Sequence, residues 1–258
     1  MISHRLVKLA AATALILCVA MLGGTPDTSR PLKAGDFLGK EEEELIRIGF
    51  EIAPVPLNLQ GRNPDLVGLG SFLVNAVADC NGCHTAGLPP NLNYAAGGNP
   101  YFHQKAAVDP TVYLSGGQDF GPVGTPTGPL MYAGPDIIAR NLTPDKTGRA
   151  EGGHTLAQFK QIIRQGTDFD HAHPICTTEQ LAQIEVTTNP AELPVCIPTS
   201  PGNTVDGSLL QVMPWPAFES MTDHQLEAIY EYLSAIPCID NTSSPPPAGA
   251  PTELQNNC

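Results

Sequence analysis

Residues 63–84 read NPDLVGLGSFLVNAVADCNGCH and decide the fold of this chain. Asn63-Pro64 is typical of a helix N-cap followed by proline at the first helical position. The apolar residues that follow recur at helical spacing, namely Leu66, Leu69, Gly70, Leu73, Val74 and Val77. We therefore expect an amphipathic helix that leads directly into Cys80-Asn81-Gly82-Cys83-His84.

The Cys-x-x-Cys-His run that ends this stretch is the attachment signature of a c-type haem. In such a site the two thiols form thioethers to the porphyrin, and the imidazole becomes an axial iron ligand. The run has two other interpretations, a thioredoxin-like redox dithiol or half of a zinc site. A redox dithiol is expected in a βαβ context, and a zinc site needs a second Cys/His pair at short spacing; neither pattern lies nearby. The sequence therefore predicts one covalent haem c, held by Cys80 and Cys83.

Capping boxes of the form Thr-x-x-Gln predict two further helices, which begin at Thr155 and at Thr222. The first carries a regular apolar face and should end at Gly166, and the second should end before Pro237. A short helix is also expected over residues 41–50, and no long strand is indicated. The chain is thus predicted to be mainly α.

Glycine and proline interrupt this helical pattern in long stretches. The 25 glycines and 26 prolines are concentrated between residues 87 and 135 and again near the C-terminus. We expect one helical domain over residues 63–237, with loop insertions at 87–135 and 174–208. An N-terminal extension over 25–62 would precede this domain, and a proline-rich tail over 238–258 would follow it.

The N-terminus has the pattern of a secretory signal peptide. Arg5 and Lys8 form a short basic region, an apolar run follows from Leu9 to Leu22, and Gly23-Gly24 supplies small residues after it. An uncleaved membrane anchor is the alternative, but this run is shorter than the about 20 apolar residues that span a bilayer. We therefore expect residues 1–24 to be removed and the protein to be periplasmic.

The chain is acidic, with 13 Lys+Arg against 26 Asp+Glu and a formal net charge of −13. Such a charge argues against nucleic acid and against anionic lipid as partners. Partner proteins with a basic docking surface are expected instead.

A haem held by one histidine needs either a second axial ligand or an open position. Met213 is the best candidate for this ligand, because two prolines on its C-terminal side fix its loop shortly before the last helix. The alternative is that Met213 only fills core, as most methionines do. Met131 is a weaker candidate and Met221 is expected to pack. His171 and His173 could replace Met213.

Four further cysteines, Cys176, Cys196, Cys238 and Cys258, are enough for two disulfides in an exported chain. Three connectivities are possible. Short loops favour Cys176 with Cys196 and Cys238 with Cys258. Each disulfide would close a loop of about 20 residues and stabilise the fold by about 3 kcal/mol.

Taken together, these features resemble the class I cytochrome c family. The likeness is closest to its larger single-haem bacterial members and to the haem subunits of membrane-associated dehydrogenases, and it covers most of residues 45–237. Besides the haem motif, it rests on Val67–Asn75, on Ala139–Asp145, and on Met213–Trp215 leading to Ala228–Leu233.

The resemblance implies a helical fold around one covalent haem with one porphyrin edge exposed. An N-terminal helix would cross a C-terminal one at Gly68 or Gly70, with Tyr230 or Tyr232 beside the crossing. By the same likeness, Cys80 and Cys83 carry the porphyrin, His84 and Met213 are the axial iron ligands, Asn141, Pro144 and Trp215 lie against the haem, and a carbonyl at Leu88 or Pro89 orients His84.

The predicted function is one-electron transfer in a respiratory or dehydrogenase chain, without catalysis by the chain itself. One alternative is a dedicated haem subunit of a periplasmic dehydrogenase or oxidase complex, working with a membrane partner. Another is a haem sensor or peroxidase with an open distal site. Peroxidase-type relatives usually show a second Cys-x-x-Cys-His, and this sequence contains one copy.

Overall fold

The computed structural model describes residues 34–85, 103, 108–170, 172–200, 205–240 and 258. The chain divides into two compact units, Met1–Glu41 and Glu42–Cys258. The first unit contributes only the beginning of one helix to the described residues, and the fold presented below belongs to the second. The predicted signal peptide and most of the predicted tail lie outside the described residues. No helix among the described residues is long and apolar enough to cross a membrane.

Helices form nearly all of the regular structure, which confirms the mainly α class. The helices are α1 (Ala34–Ile52), α2 (Pro64–Phe72), α3 (Cys80–Cys83), α4 (Leu156–Gln165), α5 (Thr178–Val186), α6 (Trp215–Phe218) and α7 (Asp223–Ala235). A π-helical turn, Leu73–Val77, continues α2, a 3₁₀ turn, Pro190–Glu192, follows α5, and Ala150–Gly153 forms a tight turn with left-handed residues. Extended pairing in this part of the chain consists of isolated bridges.

Helix α1 is longer than the sequence predicted. The helix expected over residues 41–50 extends over 34–52, so the run of glutamates that begins at residue 41 lies within the helix rather than at its start. Arg47 forms ion pairs with Glu44 and Glu51. Pairs of this kind, three and four residues apart, support the exposed face of a helix.

Helices α2 and α7 cross in the centre of the core. The close approach is at Gly70, where an added Cβ atom would lie 1.9 Å from the carbonyl oxygen of Ala228 and 2.7 Å from the Cβ atom of Tyr232. Gly68 belongs to a second crossing, because a Cβ atom on Gly49 of α1 would lie 1.9 Å from the carbonyl oxygen of Gly68. Helix α2 is therefore buried on two sides, and not on the single apolar face that its periodicity predicted.

The π-helical turn Leu73–Val77 alters the end of the predicted helix. Its wider winding rotates the chain, and Val77, which the sequence placed on the apolar face, is 59% exposed. Within the turn, the Asn75 side chain donates a hydrogen bond to the Tyr232 hydroxyl at 3.1 Å and accepts one from the Tyr113 hydroxyl at 2.6 Å. The turn that precedes the cysteine motif is thus anchored by two buried tyrosines.

Three of the observed helices begin at the capping residues that the sequence predicted. The Asn63 side chain accepts a hydrogen bond from the N–H of Asp65 at the start of α2. Thr155 and Thr222 form complete capping boxes at the starts of α4 and α7. Helix α4 ends at Gly166 with a φ of 67°, a left-handed conformation that glycine adopts without strain.

The insertion predicted over residues 174–208 contains helix α5 and is not wholly a loop. This helix begins with a third capping box, Thr177–Gln180. The Cys176–Cys196 disulfide closes the insertion and packs with buried Ile184 in a small core of its own. The second disulfide joins Cys238 to Cys258, so both pairings favoured by loop length are confirmed.

Candidate functional site

A cleft beside helix α3 consists of two adjoining chambers. We call the chamber that Cys83 lines the outer one and the other the inner one; they contain about 970 Å³ and about 460 Å³ of empty space, part of it open to solvent in both. Cys80, His84 and Met213 line both chambers, and Cys83 lines the outer one. The apolar lining includes Phe120, Ile138, Val212 and Phe218 in the outer chamber and Leu142, Phe159, Ile163 and Leu233 in the inner one. The structure therefore brings the predicted anchors and both predicted axial ligands to one cleft.

Helix α3 carries the two motif cysteines on a single turn. Because residues three apart in a helix lie on the same side, Cys80 and Cys83 both reach the outer chamber, and neither is disulfide-bonded. Burial, reinforced by the carboxylate of Asp79, raises the pKa of the Cys80 thiol to about 12. Reactive dithiols have lowered thiol pKa values, so this environment does not suit a thioredoxin-like centre.

The backbone of Arg140 orients the His84 ring. The Nδ1–H group of His84 donates a hydrogen bond to the carbonyl oxygen of Arg140 at 2.9 Å. Because a carbonyl can only accept, the proton lies on Nδ1 and the lone pair of Nε2 is available to a metal. Burial lowers the pKa of His84, which favours the neutral ring that binds metals. Leu88 and Pro89, the predicted partners, lie outside the described residues, and Arg140 takes this role instead.

A loop centred on Gly116 joins the motif to Arg140. The N–H of Gly116 donates a hydrogen bond to the carbonyl oxygen of His84 at 2.8 Å. Gly116 has a φ of +72°, and an added Cβ atom would lie 2.4 Å from the carbonyl carbon of Arg140. Only glycine allows this conformation and this approach without strain. Part of the predicted 87–135 insertion therefore builds the site.

Backbone pairing with the end of α4 positions the Met213 loop. The N–H of Leu210 donates to the carbonyl oxygen of Gly166 at 2.7 Å, and the N–H of Asp168 donates to that of Ser208 at 3.0 Å. Met213 follows this pairing, is half-buried and packs against the main core. Its side chain is thus held at the cleft by non-helical backbone, as its flanking prolines predicted.

Two of the other candidate ligands line the cleft and one does not. His173 is buried and lines the outer chamber. Met221 lines the inner chamber, whereas Met131 is 67% exposed and lines neither. His171 lies outside the described residues. The described part of the chain therefore offers Met213 first and His173 as its competitor.

Three residues that the resemblance placed against the haem line neither chamber. The Asn141 amide donates a hydrogen bond to the carbonyl oxygen of Ile239 at 2.9 Å, so it ties the start of the C-terminal tail to the core. Pro144 lines a separate surface cavity. The indole N–H of Trp215 donates to the carbonyl oxygen of Leu210 at 3.3 Å and steadies the Met213 loop. Their role as haem contacts stays a prediction.

A charge cluster that was not predicted lies beside the cleft. It is formed by the buried residues Arg140, Glu151 and His154 together with Asp168 and the more exposed Asp170. The Arg140 guanidinium donates to Asp170 at 2.9 Å and also to Asp168. The Nδ1–H group of His154 donates to the Glu151 carbonyl oxygen at 2.7 Å, and its Nε2 lies 3.4 Å from an Asp170 oxygen. His154 is itself buried.

We expect this cluster to make the stability of the protein depend on pH between about 6.5 and 9. The hydrogen bond that His154 donates to the Asp170 carboxylate is the main cause that raises the pKa of His154 from 6.5 to about 9. Because the folded-state pKa is the higher one, charged His154 stabilises the fold fully below pH 6.5, and this contribution is lost as the pH rises through 9. Urea unfolding should therefore give a free energy of unfolding that falls across this range.

Two variants separate this effect from other titrations. Asp170→Asn should flatten the fall, because the folded-state pKa of His154 then loses its main cause. Asp206→Asn removes an exposed carboxylate that bonds Ser208 within its own turn, and it should leave the profile unchanged. A wild-type profile that is level over the range would contradict the prediction.

The cleft brings together side chains that could hold a cofactor. The chain matches no protein-family model, and comparisons with characterised proteins and with solved structures likewise find no match. Among the described residues no group of three or more His, Cys, Asp or Glu side chains could hold a metal ion. Two thiols outside any disulfide, an imidazole and a thioether line the same apolar cleft, and side chains of these types could hold a covalent haem c.

Proposed function

We propose that this protein is a c-type cytochrome, which carries single electrons outside the cytoplasm through one covalently attached haem. The observation that carries the proposal is a single cleft lined by Cys80, Cys83, His84 with its Nε2 free, and Met213. Bound there, the haem supplies an iron that cycles between the ferrous and ferric states. The chain itself then needs no catalytic side chain.

The residues around the cleft support a carrier because they hold both candidate ligands in place. The carbonyl of Arg140 fixes the plane of the His84 ring, and the backbone pairing at Leu210 fixes the loop of Met213. Ligands that do not move between oxidation states keep the reorganisation on electron transfer small. The apolar lining excludes water, and a His/Met pair raises the reduction potential.

Export and partner choice follow from features outside the cleft. The signal-peptide pattern of residues 1–24 and the two disulfides support an oxidising, periplasmic location. The net charge of −13 supports docking to a redox partner with a basic surface.

A dedicated haem subunit of a dehydrogenase or oxidase complex is the second candidate. It is favoured by the region around the Cys176–Cys196 disulfide, which carries the three most exposed large apolar side chains of the described residues. These are Val186 at 76%, Val195 at 71% and Met131 at 67% exposure. A stable co-purifying flavoprotein would favour this subunit role over a free carrier.

The visible spectrum of the purified protein tests the proposal. We expect a low-spin haem spectrum and, in the ferric state, the weak long-wavelength charge-transfer band of methionine-ligated iron. Met213→Ala should abolish this band and leave a haem that accepts external ligands, whereas His173→Ala should retain the band.

Each other outcome has a distinct meaning. Loss of the low-spin spectrum in His173→Ala but not in Met213→Ala would assign the second ligand to His173. A high-spin, ligand-accepting wild type would favour the sensor or peroxidase alternative. A wild-type protein without haem, purified from a host that attaches haem to exported chains, would overturn the proposal.

A further inference from the structure

Glu151 presents an unsatisfied carboxyl group to the cleft. The residue is 5% exposed and lines both chambers. Its Oε2 atom is buried and has no hydrogen-bond partner among the described residues. An unsatisfied buried polar atom costs about 1–3 kcal/mol, so a ligand that supplies the missing partner is expected in the functional protein.

A strained turn of the backbone places the Glu151 side chain at the cleft. Glu151 has a φ of 50° and a ψ of 55°, a left-handed conformation that costs a residue other than glycine about 1–3 kcal/mol. Its N–H donates to the carbonyl oxygen of Leu142 at 3.1 Å, and its own carbonyl accepts the Nδ1–H of His154 at 2.7 Å. Hydrogen bonds on both sides thus maintain a conformation of the kind that is concentrated at functional sites.

The surroundings of Glu151 favour the protonated carboxyl group. The pKa of Glu151 is raised, and burial is the main cause. The positive charges of Arg140 and His154 lower this pKa, whereas the carboxylates of Asp170 and Asp168 raise it further. The Arg140 guanidinium already donates to both aspartates, so its charge is largely compensated. The protonated form, which burial favours, can donate a hydrogen bond at the edge of an apolar chamber.

The identity of the acceptor follows from the cofactor and so rests on the proposed function. The haem vinyl groups are used by Cys80 and Cys83, which leaves the peripheral carboxylates as the polar groups that can meet Glu151. Two ionised carboxylates repel each other, whereas a protonated carboxyl group donates a short, strong hydrogen bond to an ionised one. We propose that Glu151 is a cofactor-binding residue whose protonated carboxyl group donates a hydrogen bond to a carboxylate of the haem.

Redox-difference infrared spectroscopy of the holoprotein tests this assignment. Wild type should show a C=O stretch of a protonated carboxyl group that changes between the oxidised and reduced states. In Glu151→Gln this band should be lost, and the carboxylate stretch of the haem, identified with isotope-labelled haem, should shift. Glu185→Gln, an exposed carboxylate on helix α5, is the matched control and should leave both bands unchanged.

A labelling experiment keeps the test decisive if Glu151→Gln does not fold. Labelling the carboxyl groups of the protein glutamates, with the haem precursor supplied unlabelled, should move the same C=O band in wild type. A band that is absent, unmoved by the label or retained in Glu151→Gln overturns the proposal, as does an unshifted haem carboxylate. Haem staining on a denaturing gel reports covalent attachment separately, so a failure of this inference is distinguishable from a failure of the proposed function.

Discussion

Replacing Gly70 by alanine is expected to lower the free energy of unfolding by at least about 3 kcal/mol. The added Cβ atom would lie 1.9 Å from the carbonyl oxygen of Ala228 and 2.7 Å from the Cβ atom of Tyr232. Neither atom can rotate away, so helices α2 and α7 would have to separate along their main contact. Alanine gains about 1 kcal/mol over glycine in helix propensity, which does not offset the clash.

Urea unfolding of the holoprotein, followed by far-ultraviolet circular dichroism, measures this loss. Gly39→Ala is the matched control, because Gly39 also lies within a helix and an added Cβ atom there meets no atom within 4 Å. The control should be neutral or gain up to about 1 kcal/mol. Equal stability of the two variants would contradict the close approach of α2 and α7.

Local signals were sufficient to predict helices α4 and α7. Thr155 and Thr222 begin α4 and α7 because a capping box depends only on residues within one turn. The same signal is present at Thr177–Gln180, but helix α5 was missed because residues 174–208 were expected to be a loop insertion. The capping box was there the better guide, and the disulfide beside it holds the helix in place.

Contacts between distant parts of the chain were beyond what the sequence could indicate. The partner of His84 is a backbone carbonyl 56 residues away, and every residue carries such a group, so nothing in the sequence marks Arg140. The burial of Glu151 likewise depends on a left-handed turn that glycine would normally occupy. Side-chain motifs predict the residues that form a site, whereas the backbone that orients them depends on the tertiary fold.

The cysteine motif carries the largest functional prediction. Replacing Cys80 and Cys83 together by serine is expected to abolish covalent haem attachment, because a hydroxyl group does not form the thioether. Any haem then held only by His84 and Met213 should be lost on denaturing electrophoresis. Each single variant should keep one thioether and part of the covalent haem. Haem staining of the gel and the pyridine haemochrome spectrum, which responds to the number of thioethers, measure both effects.

The disulfide-bonded cysteines provide a control in which the same number of cysteine residues is replaced. Cys176→Ser together with Cys196→Ser opens the disulfide of the insertion, which lines neither chamber of the cleft. We expect this variant to retain its covalent haem while its free energy of unfolding falls by about 3 kcal/mol. Loss of haem in both double variants would point to misfolding rather than to the motif. Undiminished covalent haem in the Cys80/Cys83 variant would show that these thiols do not hold the cofactor, and it would remove the basis of the proposed function.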